Sequence, residues 1–217
     1  MNRSTNHRAR ASNGLRKEIR AYGIRALLSR HPRIRQLKRR HCPSLYGNKL
    51  WSASWLLMDF FKKQGMPQGS RVMELGCGWG LASVYCAKKF DALVTCVDTD
   101  ADVFPYLRLH AEVNGVKIGT LQKDMNHLSK AVLQGFDILI GADICFWDSM
   151  THSLKRLINR ALRGGVKSIV IADPGREPFL DVADHYVQRG LGHLLDWGVK
   201  QPKSIPGHIL QIGALEA

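Results

Sequence analysis

Apolar positions from Leu50 onward alternate between two rhythms. Short continuous runs, RVMEL, LVTCV, IGTLQ, FDILIGA and KSIVIAD, predict strands buried on both faces. Longer segments between them repeat apolar residues at helical spacing and carry helix start and stop signals. SASWLLMDFFKKQG opens on serines and ends at Gly65, with Pro67 beyond, and LASVYCAKKF follows the first strand. ADVFPYLRLHAEVNG has Pro105 in its first turns and stops at Asn114-Gly115; SMTHSLKRLINRALRGG closes on Gly164-Gly165; PFLDVADHYVQRG is the last helix. Two final runs, GHLLDWGV and GHILQIGAL, lie too close together for a crossover helix and predict a hairpin. One of them must run antiparallel to the rest. Seven such strands alternating with helices imply an α/β fold: a doubly wound, mostly parallel sheet ending in an antiparallel hairpin strand.

Ahead of this body, LRKEIRAYGIRALLSR places Leu15, Ile19, Tyr22, Ile24 and Leu27-Leu28 near helical spacing. The spacing predicts a basic amphipathic helix in an arm of residues 1–42, followed by a domain of residues 43–217. Charge sharpens that division. The arm holds thirteen Arg or Lys against Glu18 alone, so the domain carries only about +2 of the net +14. Such an arm suits an acidic partner, RNA or an anionic membrane surface, and also matches a mitochondrial transit peptide or a solvated helix. No apolar secretory core is present, no run approaches the roughly 18 residues of a transmembrane segment, and no aromatic-interleaved RNA motif occurs. The five cysteines are odd in number and never spaced C-x-x-C, which argues against a disulfide framework or zinc site. This points to a reducing compartment: cytoplasmic, with the mitochondrial matrix as the alternative.

The candidate chemistry begins at VMELGCGWG, where the first strand meets an acid and then glycine at alternate positions. In a doubly wound sheet, ligands bind beyond the carboxyl ends of the strands, and glycines allow close approach to the main chain. A dinucleotide fingerprint would need glycine where Leu81 stands, and Glu74 at the entrance would repel a pyrophosphate. An acid suits a ligand with positive charge and hydroxyl or ammonium donors. S-adenosyl-L-methionine, with its sulfonium, α-ammonium and ribose and no phosphate, meets that description.

E-x-G-x-G-x-G after the first strand resembles motif I of the class I S-adenosylmethionine-dependent methyltransferases, whose sheet is Rossmann-like. The resemblance implies Glu74, Gly76 and Gly78 as cofactor-binding residues. Asp98, ending the second strand about 20 residues on, then accepts the ribose hydroxyls. Asp124, after the third strand, holds the adenine amino group. Met125 stands where many members have tryptophan beside the adenine, and Ala142 adds a further cofactor position. GADICFWD, with Asp143 and Phe146, resembles the D-x-x-Y/F signature of the protein-lysine methyltransferases grouped as methyltransferase family 16. GNKLWSASWLLMDFF resembles that family's pre-motif helix, with Trp51 beside the cofactor. IADPGR resembles the branch that methylates the electron-transfer flavoprotein β-subunit.

The resemblance implies direct methyl transfer to nitrogen, most naturally a lysine of a protein substrate, with no metal ligand needed. A free lysine must first lose a proton, which costs roughly 4–5 kcal/mol at neutral pH. Asp143 is expected to orient the amine, with Phe146 and Trp147 desolvating it. A small-molecule amine or nicotinamide-like ring, or RNA docked through the arm, are the alternative acceptors. Asp148 is expected to cap the helix near Ser149, and Asp173 with Arg176 to brace a turn or grip a substrate backbone.

Overall fold

The chain enters its described region as a hairpin, not as the expected helix. The computed structural model describes residues 16–44 and 46–215. Strands β1 (Glu18–Ala21) and β2 (Ile24–Leu27) pair antiparallel across Tyr22-Gly23, both at positive φ, 53° and 75°. Two such residues give a turn whose twist matches paired strands. The apolar residues that looked helical are partitioned by the period of two: Ile24 and Ala26 enter the domain core, and Leu27 is buried with Ile34, Trp79, Tyr106 and Leu109. Helix α1 (Pro32–Leu37) follows, its start capped by His31.

Two side chains one turn apart take the place of a neighbouring strand for β2. His110 Nε2 accepts the Leu27 N–H at 3.0 Å, and Asn114 accepts the Arg25 N–H at 2.7 Å while donating to the Arg25 carbonyl at 2.8 Å. His110 also donates from Nδ1 to the Tyr106 carbonyl, so its tautomer is fixed. Burial lowers its pKa to about 4. Residues 16–42 therefore share the domain's core, and the boundary at residue 42 separates no independent unit among the described residues. Residues 1–15 of the predicted arm lie outside them.

The body follows the predicted alternation. Its elements are α2 (Ala53–Gln64), β3 (Arg71–Leu75), α3 (Leu81–Phe90), β4 (Leu93–Asp98), α4 (Phe104–Asn114), β5 (Gly119–Gln122), the short α5 (Lys130–Leu133), β6 (Ile138–Ala142), α6 (Asp148–Arg163), β7 (Ser168–Asp173), α7 (Glu177–Val187), β8 (Gly192–Val199) and β9 (Ile205–Gly213). The seven strands of the large sheet lie in the order β5-β4-β3-β6-β7-β9-β8. All neighbours are parallel up to β7, and β9 inserts antiparallel between β7 and β8.

Successive residues of the central strands supply two cores, which is why their sequences read as continuous apolar runs. Val72, Ile138, Ile140 and Val170 pack with α2 and α3, whereas Met73, Leu75, Leu139 and Ile169 pack with α6 and α7. Among the described residues, no helix is long and apolar enough to cross a membrane. Strand order reverses between β3 and β6, so the loops leaving these two strands diverge and open a cleft at their carboxyl ends.

Candidate active site

The turn after β3 shows what each glycine is for. Gly76, Gly78 and Gly80 all have positive φ, 53°, 49° and 68°. A Cβ on Gly80 would run into Leu107 Cδ1 of α4, whereas one on Gly78 would meet nothing within 4 Å. Gly80 thus serves the packing of α3 on α4, and Gly78 leaves open space beside the main chain. Gly80 is also the N-cap of α3 and has no side chain to satisfy the helix's first N–H groups. Glu74 does so instead, accepting the Ser83 N–H at 3.1 Å. It is 2% exposed, and burial pushes its carboxyl up to about 7 against the lowering effect of Ser83. The acid read as a ligand group is at the same time the cap of α3.

Asp98 has a similar double position. One carboxylate oxygen accepts the Gly78 N–H at 3.0 Å, which ties the end of β4 to the glycine turn; the other accepts the Asp100 N–H at 3.1 Å. Burial raises its pKa, opposed by these bonds. Asp100 and Asp102 then fasten the segment that leaves α1: Ser44 N–H to Asp100 at 2.6 Å, and Cys42 N–H and His41 Nδ1 to Asp102 at 3.1 and 3.3 Å. After β5, Asp124 accepts the Asn126 N–H at 2.7 Å and Met125 packs against the α6–α7 core.

Asp143 follows β6 with φ of 58°, unusual for a non-glycine residue. Its carboxylate is held from two sides. One oxygen accepts the Ala53 N–H at the start of α2 at 3.0 Å, and the other pairs with Arg176 Nη2 at 2.8 Å. Arg176 also pairs with Asp173 at 2.7 Å, and Asp173 accepts the Gly175 and Arg176 N–H groups. Arg176 therefore braces its turn, one of the two roles expected of it, and in addition bridges two acids.

The same guanidinium lies 4.4 Å over the Phe146 ring. Phe146 stacks on Tyr46 at 4.7 Å and meets Trp51 edge-on at 5.4 Å, while Trp147 stands 57% exposed beside Tyr46. The Trp51 indole donates to the Tyr46 carbonyl at 2.6 Å, and Lys49 Nζ sits 4.1 Å over its ring. Asp148 is the first residue of α6 and makes no side-chain cap, because Trp147 is the N-cap.

One cavity of about 320 Å³ brings these groups together. Trp51, Glu74, Gly76, Gly78, Asp98, Asp124, Met125, Ala142, Asp143 and Phe146 all line it. Sequence reasoning missed Ser44, Tyr46, Lys49 and Asp100, which line it too. Tyr46 and Lys49 flank Gly47, whose carbonyl accepts the buried Trp79 indole N–H at 2.8 Å. The available signal was the aromatic and basic content of LYGNKLW.

Comparison with known proteins is consistent with this geometry. Residues 72–165 match the family model described as "Methyltransferase domain". The electron transfer flavoprotein beta subunit lysine methyltransferase of Xenopus laevis is 26% identical over 159 residues, covering 71% of this chain and 63% of that protein. The calmodulin-lysine N-methyltransferase of Arabidopsis thaliana is 31% identical over 121 residues, 52% of this chain and 40% of that one. The chain thus spans less than two thirds of the length of these relatives. Among solved structures, the Pyrococcus abyssi tRNA (uracil-54, C5)-methyltransferase in complex with S-adenosyl-L-homocysteine has a TM-score of 0.57 at 16% identity, covering 91% of this chain and 43% of that one. The precorrin-8W decarboxylase of Methanobacterium thermoautotrophicum also scores 0.57 at 11% identity, covering 76% and 92%. In fold and in its central segment the chain resembles the class I S-adenosylmethionine-dependent methyltransferases.

Proposed function

We propose that the chain is an S-adenosylmethionine-dependent N-methyltransferase whose acceptor is a lysine side chain of a protein. The observation that carries this reading is a single cavity that joins a glycine turn ringed by Glu74, Asp98 and Asp124 to an aromatic mouth beside Asp143. The cofactor suits these residues. Glu74, Asp98 and Asp124 give the cavity its carboxylates, and Gly78 leaves space that a Cβ would fill. Asp98 has lone pairs left for ribose hydroxyls, Asp124 for the adenine amino group, and Glu74 for the ammonium end. Met125, Ala142 and Trp51 supply apolar contact. When bound, S-adenosylmethionine supplies a methyl group already activated on a sulfonium, so the protein's task is alignment and exclusion of water.

At the mouth, Tyr46, Trp51, Phe146 and Trp147 form walls that desolvate an entering aliphatic amine. An unpaired carboxylate there would hold the acceptor as ammonium, the unreactive form. Arg176 offsets the Asp143 charge, which lets Asp143 orient an amine while favouring its protonated state less. The curated relatives named as lysine methyltransferases support lysine over other nitrogen acceptors.

The test is transfer of labelled methyl from S-adenosylmethionine into a lysate prepared without this enzyme. Label on lysine of a protein is expected; label on RNA or on a small amine overturns the acceptor. Asp143→Asn, which keeps an acceptor for the Ala53 N–H, should abolish transfer while leaving S-adenosylhomocysteine affinity within a few-fold, and unchanged turnover removes the Asp143 carboxylate from the reaction.

A further inference from the structure

Arg35, Arg39 and Arg40, on and just after α1, are exposed, and no ion pair or side-chain hydrogen bond engages any of them among the described residues. Their neighbours in the arm are partly offset: Arg20 and Arg25 share Glu18, and Arg33 pairs with Glu112. With Pro32 and Gln36 the three line a groove of about 370 Å³ that contains no acid. The groove is a patch of positive charge without an acid in its lining.

Its place in the fold sets that charge close to the cavity. His41, Cys42 and Ser44, directly after Arg40, are pinned to Asp102 and Asp100, and both Ser44 and Asp100 line the cavity. Four residues of chain span at most about 14 Å, so the groove adjoins the cavity rim.

We infer that this groove docks an acidic segment of the protein substrate, with carboxylates within about six residues of the acceptor lysine, because six residues of chain join Arg40 to Tyr46 at the mouth. The inference rests on the protein-lysine reading above. Guanidinium forks match carboxylates in bidentate pairs. The groove has no aromatic side chain of the kind on which single-stranded nucleic acid stacks, which favours a peptide over RNA.

The probe is a fluorescent peptide with a central lysine and glutamates about four residues to either side, compared with its glutamine twin on the full chain. At low salt the glutamate peptide should bind about tenfold more tightly, the yield of a few exposed ion pairs. The preference should fade at high salt and vanish in the triple variant R35Q/R39Q/R40Q, whose melting temperature and S-adenosylhomocysteine affinity stay at wild-type values. Equal binding of the twins overturns the proposal, as does a preference that survives in the triple variant. So does an oligoribonucleotide that binds through these arginines while the twins remain indistinguishable. Methyl transfer to the same peptides separates the two readings. Acid preference without transfer upholds the groove and removes lysine as acceptor, and transfer without acid preference does the reverse.

Discussion

Alanine at Gly80 and at Gly78 separates the two uses of the glycine turn. Both positions have positive φ, 68° and 49°, so each substitution carries about 1–2 kcal/mol of backbone strain. At Gly80 the new methyl also meets the fully buried Leu107, and overpacking adds about 1–3 kcal/mol. Gly80→Ala should therefore cost about 2–5 kcal/mol of stability, against about 1–2 for Gly78→Ala. Affinity should rank the other way. The methyl of Gly78→Ala enters open space on the cavity wall and should weaken S-adenosylhomocysteine binding by about tenfold, or 1.4 kcal/mol. Leu107→Ala alone should cost about 2–5 kcal/mol, and combined with Gly80→Ala should fall about 1–3 kcal/mol short of the sum, because the clash is gone. Urea unfolding followed by circular dichroism gives the stabilities, and titration calorimetry the affinities. Two equally stable glycine variants would refute the packing assignment; wild-type affinity in Gly78→Ala would remove the ligand from this turn.

Two buried titratable groups should make stability depend on pH in opposite senses. His110 is lowered from 6.5 to about 4, so the unfolded chain binds the extra proton and stability is lost as pH falls from about 6.5 to 4, by up to about 3 kcal/mol. His110→Gln should gain on the wild type across that window. Glu74 is raised from 4.5 to about 7, so its contribution is present below 4.5 and lost as pH rises through 7; Glu74→Gln should gain on the wild type from pH 5 to 8. Urea midpoints at each pH read both, and parallel curves would contradict the burial of either group. Arg176→Met leaves Asp143, its side chain 3% exposed, without its counter-charge and should cost about 2–4 kcal/mol in thermal unfolding; an unchanged midpoint would mean the pair is not formed. Deleting residues 1–42 removes the fully buried Leu27 and Ile34, worth about 1.5–3 kcal/mol each, and strips His110 and Asn114 of their partners on β2. That deletion should unfold or strongly destabilise the chain, and a stable product would show the arm to be separable.

The body was legible in the sequence because its signals are redundant. Each parallel strand is a continuous apolar run, α4 ends at Gly115 with φ of 70°, and α6 places Leu154, Leu157, Ile158 and Ala161 along one buried stripe. The hairpin was not legible, because Ile19, Tyr22, Ile24 and Leu27 fall near helical spacing, whereas the alternation of two is broken at the Tyr22-Gly23 turn. What decides for strands is distant: His110 and Asn114 offer β2 hydrogen bonds, and Asp59 receives the Tyr22 hydroxyl at 3.2 Å. The site was legible where a residue sits at the end of a predicted strand. Tyr46 and Lys49 reach the cavity only because Asp100, Asp102 and Trp79 hold the preceding strap in place, contacts that lie far apart in the chain.

The acids at the strand ends have structural duties as well as the proposed chemical ones. Glu74 caps α3, Asp98 holds the glycine turn, and Asp143 joins the start of α2 to Arg176. Each leaves only part of its hydrogen-bonding capacity for a ligand. Substituting any of them by alanine would loosen a loop and remove a contact at once, so a loss of activity alone cannot assign a chemical role. Amide replacements narrow the choice: an amide surrenders the charge and keeps one accepting oxygen, which at Asp98 can serve the Gly78 N–H while the Asp100 N–H loses its acceptor. At Asp98, a fold retained in Asp98→Asn with weakened cofactor binding would place the carboxylate's charge in recognition. Loss of the fold in the same variant would instead place it in holding Gly78, which makes the glycine turn and the acid facing it one unit.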